Sequence, residues 1–215
     1  MSETVRPPAV AGTFYPADAT QLQAEVSAHL TRASPPDIGF PPRILIVPHA
    51  GYIYSGPVAA FGYRLLQDAG WIERVVMVGP SHYARFTGLA LPGADQLETP
   101  LGTVCVEPVG SALLEESPLV TDSRAAHAKE HSLEVQLPFL QIVLPGIPVV
   151  PLLTGAIDPA RGAAIVEPLL DNRTLLLISS DLSHFHDAAT ARRLDAATAD
   201  SIARLDGEAL EWESA

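Results

Sequence analysis

Arg43-Ile44-Leu45-Ile46-Val47-Pro48-His49-Ala50-Gly51-Tyr52 decides the reading of this chain: an unbroken apolar run stops at a proline and delivers a histidine. The pattern recurs twice. Val75-Val76-Met77-Val78 leads into Gly79-Pro80-Ser81-His82, and Leu175-Leu176-Leu177-Ile178 leads into Ser179-Ser180-Asp181-Leu182-Ser183-His184. Runs of four or five aliphatic residues bounded by turn formers read as strands buried on both faces, the mark of a parallel sheet. Open α/β sheets bind ligands beyond the carboxyl ends of their strands. Three imidazoles and a carboxylate sent to one sheet edge therefore point to a metal or catalytic site.

Bulk properties agree with a globular enzyme-sized protein. The 215 residues, 47% hydrophobic and 18% charged, suit a single domain over 1–215 with a sizeable core. A formal net charge of −12 argues against nucleic acid or an anionic membrane as the main partner. Cys105 is the single cysteine, so no internal disulfide forms, which suits a reducing cytoplasm. The N-terminus lacks the apolar core of a signal peptide, and no run approaches the roughly 20 apolar residues of a spanning helix. A cytoplasmic location is the expectation.

Working outward from the strands, Asp18 caps a helix carrying Leu22, Val26 and Leu30, which Ser34-Pro35-Pro36 ends. Gly56-Pro57 is expected to open the next helix, with Val58, Phe61 and Leu65 as its buried stripe. Leu89-Ala90-Leu91 and Thr103-Val104-Cys105-Val106 read as a strand pair or an edge extension of the sheet. A short helix is expected from Ser111 to Glu116 and another from His131 to Leu140, with Pro138 in its middle. Strands follow at 149–153 and 174–178, separated by a helix opened by Asp158-Pro159; Asp187 caps a last long helix ended by Gly207. Strand–helix–strand order implies right-handed parallel crossovers and an α/β fold with a mainly parallel central sheet flanked by helices.

His49 and His82 stand at the ends of the first two parallel strands. Placed on neighbouring strands about 5 Å apart, they reach one ion, and neutral imidazole suits Zn, Cu, Fe and Ni. The bland alternative is a pair of hydrogen-bonded loop histidines. In the third loop, Asp181 can ligate a metal or orient an imidazole, and His184 can act as a general base; alternatively Asp181 and Ser183 simply cap a turn. His186, just before the cap of the last helix, reads as structural or as a support behind the site's ligands. Glu130 is accounted for by the dipole of the helix it is expected to begin, and His131 is expected to face the same pocket as the other imidazoles. His127 is expected to be exposed, His29 sits on an ordinary amphipathic helix, and Cys105 reads as packed and inert. Nucleophile-elbow, Walker A and dinucleotide-binding patterns are absent. A serine hydrolase using Ser180 or Ser81 stays open on residue inventory alone, without geometric support.

Five motifs in order carry a family resemblance: Ala9-Val10-Ala11-Gly12-Thr13-Phe14-Tyr15-Pro16, Pro48-His49-Ala50-Gly51-Tyr52, Gly79-Pro80-Ser81-His82, Glu130-His131-Ser132-Leu133-Glu134 with Gln136-Leu137-Pro138, and Ser179-Ser180-Asp181-Leu182-Ser183-His184. Together they resemble the Memo family, whose bacterial members are often named AmmeMemoRadiSam system protein B. That resemblance implies a fold similar to the class III extradiol (LigB-type) dioxygenases: a mixed sheet flanked by helices with a metal pocket at the strand ends. It implies metal binding through two histidines, matching His49 and His82, and a cysteine in a later Cys-Gly motif. It implies an acid–base histidine, which His184 matches best, with Asp181 lining the pocket; His131, read from the sequence as facing that pocket, joins them as a catalytic candidate. Measured against that pattern, the chain ending at Ala215 lacks the Cys-Gly motif and the final strands. It is then a truncated protein or a natural fragment, or its third ligand comes from elsewhere. An exposed sheet edge would invite pairing with another copy.

The resemblance thus leads to a metalloprotein holding Fe(II) or Cu, with Zn as an alternative, and acting with O₂ on an aromatic or other small, oxygen-rich substrate. Tyr52 and Tyr54 are expected to border that substrate. Two rival expectations use the same residues: a non-catalytic metal- or ligand-binding protein acting with partners, and a metal-dependent hydrolase. The family name also implies a functional association with an AMMECR1-like protein and a radical SAM protein.

Overall fold

The computed structural model describes residues 3–67 and 69–207, with backbone alone at 109–111. They fall into two compact units, one running to Ser179 and one beginning at Ser180. In chain order the first unit carries β1 (Val5–Arg6), α1 (Ala19–Arg32), β2 (Ile44–Val47), α2 (Tyr52–Arg64) and β3 (Arg74–Pro80). Then come β4 (Leu89–Leu91), β5 (Gln96–Thr99), β6 (Gly102–Cys105), α3 (Val109–Glu116), β7 (Val120–Asp122) and α4 (Arg124–His127). A 3-10 turn (Glu134–Gln136) runs into α5 (Leu137–Val143), followed by β8 (Val149–Thr154), α6 (Pro159–Val166) and β9 (Thr174–Ser179). The second unit carries α7 (Ala188–Ala203).

Six of these strands form the central sheet in the order β2-β9-β3-β8-β4-β7. The pairs β2–β9, β9–β3, β3–β8 and β4–β7 are parallel and β4–β8 is antiparallel, so the sheet is mixed and mainly parallel. Its central strands are buried on both faces, as continuous aliphatic runs require: Val75, Val76 and Met77 are all fully enclosed. On one face α1, α2 and α5 supply Leu22, Val26, Ala60, Tyr63, Leu137 and Phe139 against Leu45, Val47, Met77 and Leu177. On the other, Leu113 and Val166 cover Val76, Val150, Leu152 and Leu89. The helix starts follow the sequence closely, because Asp18, Asp158 and Asp187 each accept backbone N–H bonds in the first turn. Among the described residues no helix is long and apolar enough to cross a membrane.

Four expectations about elements need correction. The helix expected at Gly56 starts a turn earlier, at Tyr52, and holds Pro57 inside it. Its buried stripe is Tyr52, Ser55, Gly56, Ala59, Ala60 and Tyr63, while Val58 (62% exposed) and Phe61 (47%) face outward. Small residues face inward because the helix lies close to the sheet: a Cβ on Gly62 would stand 2.7 Å from Leu45 Cδ1. The 89–91 and 103–106 segments do not pair with each other. Leu89–Leu91 does extend the central sheet, next to its edge strand, as the alternative reading had it, whereas Gly102–Cys105 forms a hairpin with Gln96–Thr99, which also pairs with β1. Cys105 faces outward from that hairpin and is exposed, not packed. The helix expected over 131–140 is a turn, a 3-10 segment and then α5, because Pro138 takes the first helical turn where its missing N–H costs nothing. The last helix ends at Ala203, short of Gly207; the segment past Gly207 lies outside the described residues.

Candidate metal centre

His49 follows β2, His82 follows β3 and His131 lies in the turn between α4 and the 3-10 segment. The first two do not come from neighbouring strands, as the sequence suggested. β9 lies between β2 and β3, which separates their ends by about twice the 4.7–4.9 Å strand spacing. The loops close that gap. Ring centroids stand 5.2 Å apart for His49 and His82, 5.7 Å for His49 and His131, and 4.5 Å for His82 and His131. Each imidazole offers one nitrogen such that all three atoms lie within 4.8 Å of one another. Two nitrogens on one ion at 2.0–2.1 Å stand at most about 4.2 Å apart, so movements under about 1 Å gather all three.

The surroundings favour a ligand role. Ser179, at the end of the intervening strand, holds His49 Nδ1 at 2.9 Å. Glu130 Oε1 holds His82 Nδ1 at 2.9 Å. A ring held in this way at Nδ1 is the arrangement of imidazole ligands backed by a hydrogen-bond partner. His49 and His131 are buried, at 3% and 8% exposed, whereas the His82 side chain is 39% exposed and opens the cluster to solvent. Three neutral nitrogen donors with one open side fit an ion of the Zn, Cu or Fe type.

Glu130 does far more than sit at a helix start. Its carboxylate, 2% exposed, accepts the backbone N–H of His82 (2.6 Å), His131 (2.8 Å) and Ser132 (2.9 Å) besides the His82 ring. Burial alone would raise its pKa. The hydrogen bonds from the His82 ring and from the Ser132 and His82 N–H groups overcome that and bring it down to about 2. One carboxylate thus ties together the two segments that carry His82 and His131. Gly79 makes their approach feasible: a Cβ there would stand 2.7 Å from Leu133 Cδ2, 3.2 Å from Ser132 Oγ and 3.3 Å from Ser179 Cβ.

Glu134, one turn on, anchors the N-terminal arm. It accepts from Arg6 Nη1 (2.7 Å), the Ala9 N–H (2.8 Å), the Val10 N–H (3.0 Å) and the Tyr15 hydroxyl (2.6 Å). Burial and the Glu134 charge push the Tyr15 phenol well above its ordinary pKa. The arm so held places the Phe14 ring 4.5 Å from that of His131. Tyr83, 59% exposed, lies 6.0 Å from the same imidazole on the open side.

Other expected residues fall elsewhere. Tyr52 is a core residue and not a pocket border: it is 2% exposed, and its hydroxyl donates to the Val135 carbonyl at 2.7 Å. Tyr54, two positions further along the helix, is exposed. His127 is buried, not exposed. It bonds the Ala90 carbonyl at 2.8 Å, and burial lowers its pKa to about 4. In the second unit His184 Nε2 stands 3.5 Å from Asp181 Oδ2, and its Nδ1 donates to the Leu182 carbonyl at 2.8 Å. That loop places two non-glycine residues, Leu182 and Phe185, in the left-handed region at φ 61° and 59°. Glu130, Glu134, Gln136, Ser179 and Tyr83 were not singled out by sequence reasoning as site builders. The signal for three of them was the dense polar run Glu130-His131-Ser132 with Glu134 and Gln136, too rich in buried polar groups for an ordinary amphipathic helix.

A mixed α/β sheet with three imidazoles gathered past its strand ends defines an α/β protein with a cluster able to hold a metal ion. The profile of Memo-like proteins matches residues 6–212. A MEMO1 family protein of Ignicoccus hospitalis is 38% identical, covering 96% of this chain and 78% of its own length. One from Aquifex aeolicus is 36% identical over 98% and 79%, and one from Thermotoga maritima 36% over 94% and 78%. The chain belongs to the Memo family.

Proposed function

We propose that His49, His82 and His131 hold one divalent metal ion and that the protein uses it on a small oxygen-donor substrate, as a dioxygenase-like oxidoreductase. The observation that carries this reading is the convergence of three imidazole nitrogens within 4.8 Å, two of them backed by buried acceptors. When bound, iron or copper there supplies Lewis acidity and redox contact with O₂; zinc supplies the first alone. The three proposed ligands are neutral and the Glu130 carboxylate behind them offsets one charge, so a divalent cation there keeps net positive charge and attracts an anionic oxygen donor such as a catecholate. The open His82 side admits that donor, while Phe14 and Tyr83 give it aromatic walls. His184, whose Nδ1 donates to the Leu182 carbonyl beside Asp181, is the residue to which the family resemblance gives the acid–base role.

The oxidative part of the reading rests on likeness of fold to ring-cleaving dioxygenases. In such a cleavage one carbon–carbon bond of the catechol breaks and both atoms of O₂ enter the product, so no separate reductant is needed. A three-histidine set also suits hydrolytic zinc, which favours metal-dependent hydrolysis as the second reading. Purified protein reconstituted with Fe(II), Cu or Zn, tested for O₂ uptake with a catechol panel and for ester and phosphoester hydrolysis, separates the two. O₂ uptake lost in His184→Gln and His49→Ala supports oxidation; hydrolysis alone supports the second reading; neither, with metal bound, leaves a binding protein. Association with an AMMECR1-like and a radical SAM protein belongs to the same proposal and is tested by co-purification from the native source.

A further inference from the structure

We propose that Ser179 is a positioning residue that fixes His49 in the Nδ1–H tautomer, with Gln136 setting its polarity. The proposal takes its use, though not its geometry, from the metal reading above. It follows from counting donors and acceptors along one buried chain of groups.

The count starts at the Pro48 carbonyl, which can only accept. Gln136 faces it at 2.9 Å, so the amide nitrogen must be on that side. The amide oxygen then faces Tyr63, whose hydroxyl donates to it at 2.7 Å. The same amide nitrogen donates its second proton to Ser179 Oγ at 2.9 Å. Ser179 has one proton of its own, and the Ser132 carbonyl, again an acceptor only, claims it at 2.6 Å. Ser179 Oγ therefore has a lone pair and no proton left for His49 Nδ1, which stands 2.9 Å away. The proton in that contact belongs to the imidazole. A neutral ring protonated at Nδ1 carries its lone pair on Nε2. Tyr63, Gln136, Ser132, Ser179 and His49 are all buried, so water does not offer the ring an alternative partner at that nitrogen.

The device differs from the one at His82. There an acceptor-only carboxylate, Glu130, takes the Nδ1 proton directly. One imidazole is thus oriented by a charge and the other by a neutral hydroxyl whose direction is decided two residues away. Groups that orient a ligating histidine in this way are worth about 10–100-fold in metal affinity.

The test uses the full chain labelled with [15N]histidine, stripped of metal, at about pH 8.5, two units above the ordinary imidazole pKa. A long-range 1H–15N spectrum reports the tautomer of each ring without any activity. His49 is expected as Nδ1–H; an Nε2–H pattern overturns the inference even if folding and metal binding are intact. Ser179→Ala is expected to release His49 from Nδ1–H and to weaken Zn²⁺ binding, read by competition with a chromophoric chelator, about 10–100-fold. Ser179→Thr, which keeps the hydroxyl, restores both. A Ser179→Ala protein with a lowered melting temperature but unchanged tautomer and Zn²⁺ affinity shows a merely structural serine and overturns the proposal. Wild-type protein that shows Nδ1–H at His49 yet binds no Zn²⁺ upholds the positioning and defeats the metal reading alone.

Discussion

Glu134→Ala should be among the most damaging single changes outside the apolar core. Its carboxylate is 1% exposed and takes Arg6, the Ala9 and Val10 amides and the Tyr15 hydroxyl. Removing it leaves the Arg6 guanidinium, itself 8% exposed, facing the neutral carbonyls of His127, Glu130 and Pro7. Breaking one side of a buried ion pair costs about 3–5 kcal/mol, since the remaining charge stays desolvated and uncompensated. A domain's whole stability is about 5–15 kcal/mol. At roughly 2–4 °C per kcal/mol for a chain this long, the melting temperature should fall by about 6–20 °C. Urea denaturation gives the free energy directly. A double-mutant cycle with Arg6→Met separates the pair's coupling from the lost amide bonds. Because the arm also seats Phe14 on His131, metal affinity should fall with stability. A loss below about 1 kcal/mol, or a coupling near zero, would refute the view that this carboxylate holds the arm.

Acid should weaken the fold through His127, whose burial lowers its folded pKa to about 4. The unfolded ring, near 6.5, binds the proton first, so stability falls as pH drops from 6.5 to 4, by about 3 kcal/mol in all; His127→Gln should lack that component in denaturant titrations at stepped pH. Gly79→Ala puts a methyl against Leu133, Ser132 and Ser179 and should cost about 1–3 kcal/mol of stability while loosening the metal centre, seen as a parallel drop in melting temperature and Zn²⁺ affinity.

The sheet was legible because its strands are unmixed. Residues 75–78, 149–153 and 174–178 are almost wholly apolar and largely covered on both faces, whereas 44–47, just as apolar, forms the edge strand β2 and leaves Ile44 and Ile46 exposed on one face, against the expectation of a strand buried on both. Helix starts were legible where an aspartate caps them. The face of α2 was not, because that helix is apolar nearly all round, and close packing selected its glycines and alanines over its larger side chains. β5 was hidden by outward Gln96 and Glu98, whose neighbours Leu97 and Thr99 are the buried ones. His49 and His82 could be paired from their matching places at strand ends, although the strand between them could not be foreseen. His131 was seen to face the same pocket, but its place in the ligating trio depends on a turn stitched by Glu130, and no local periodicity encodes a carboxylate that bonds three backbone amides.

Metal affinity of the chelator-stripped protein, with His49→Ala, His82→Ala and His131→Ala beside the wild type, tests the centre most directly. One divalent ion per wild-type chain is expected, with each substitution weakening it at least about tenfold while the fold persists. A His131→Ala protein that binds as tightly as the wild type would contradict the three-imidazole site.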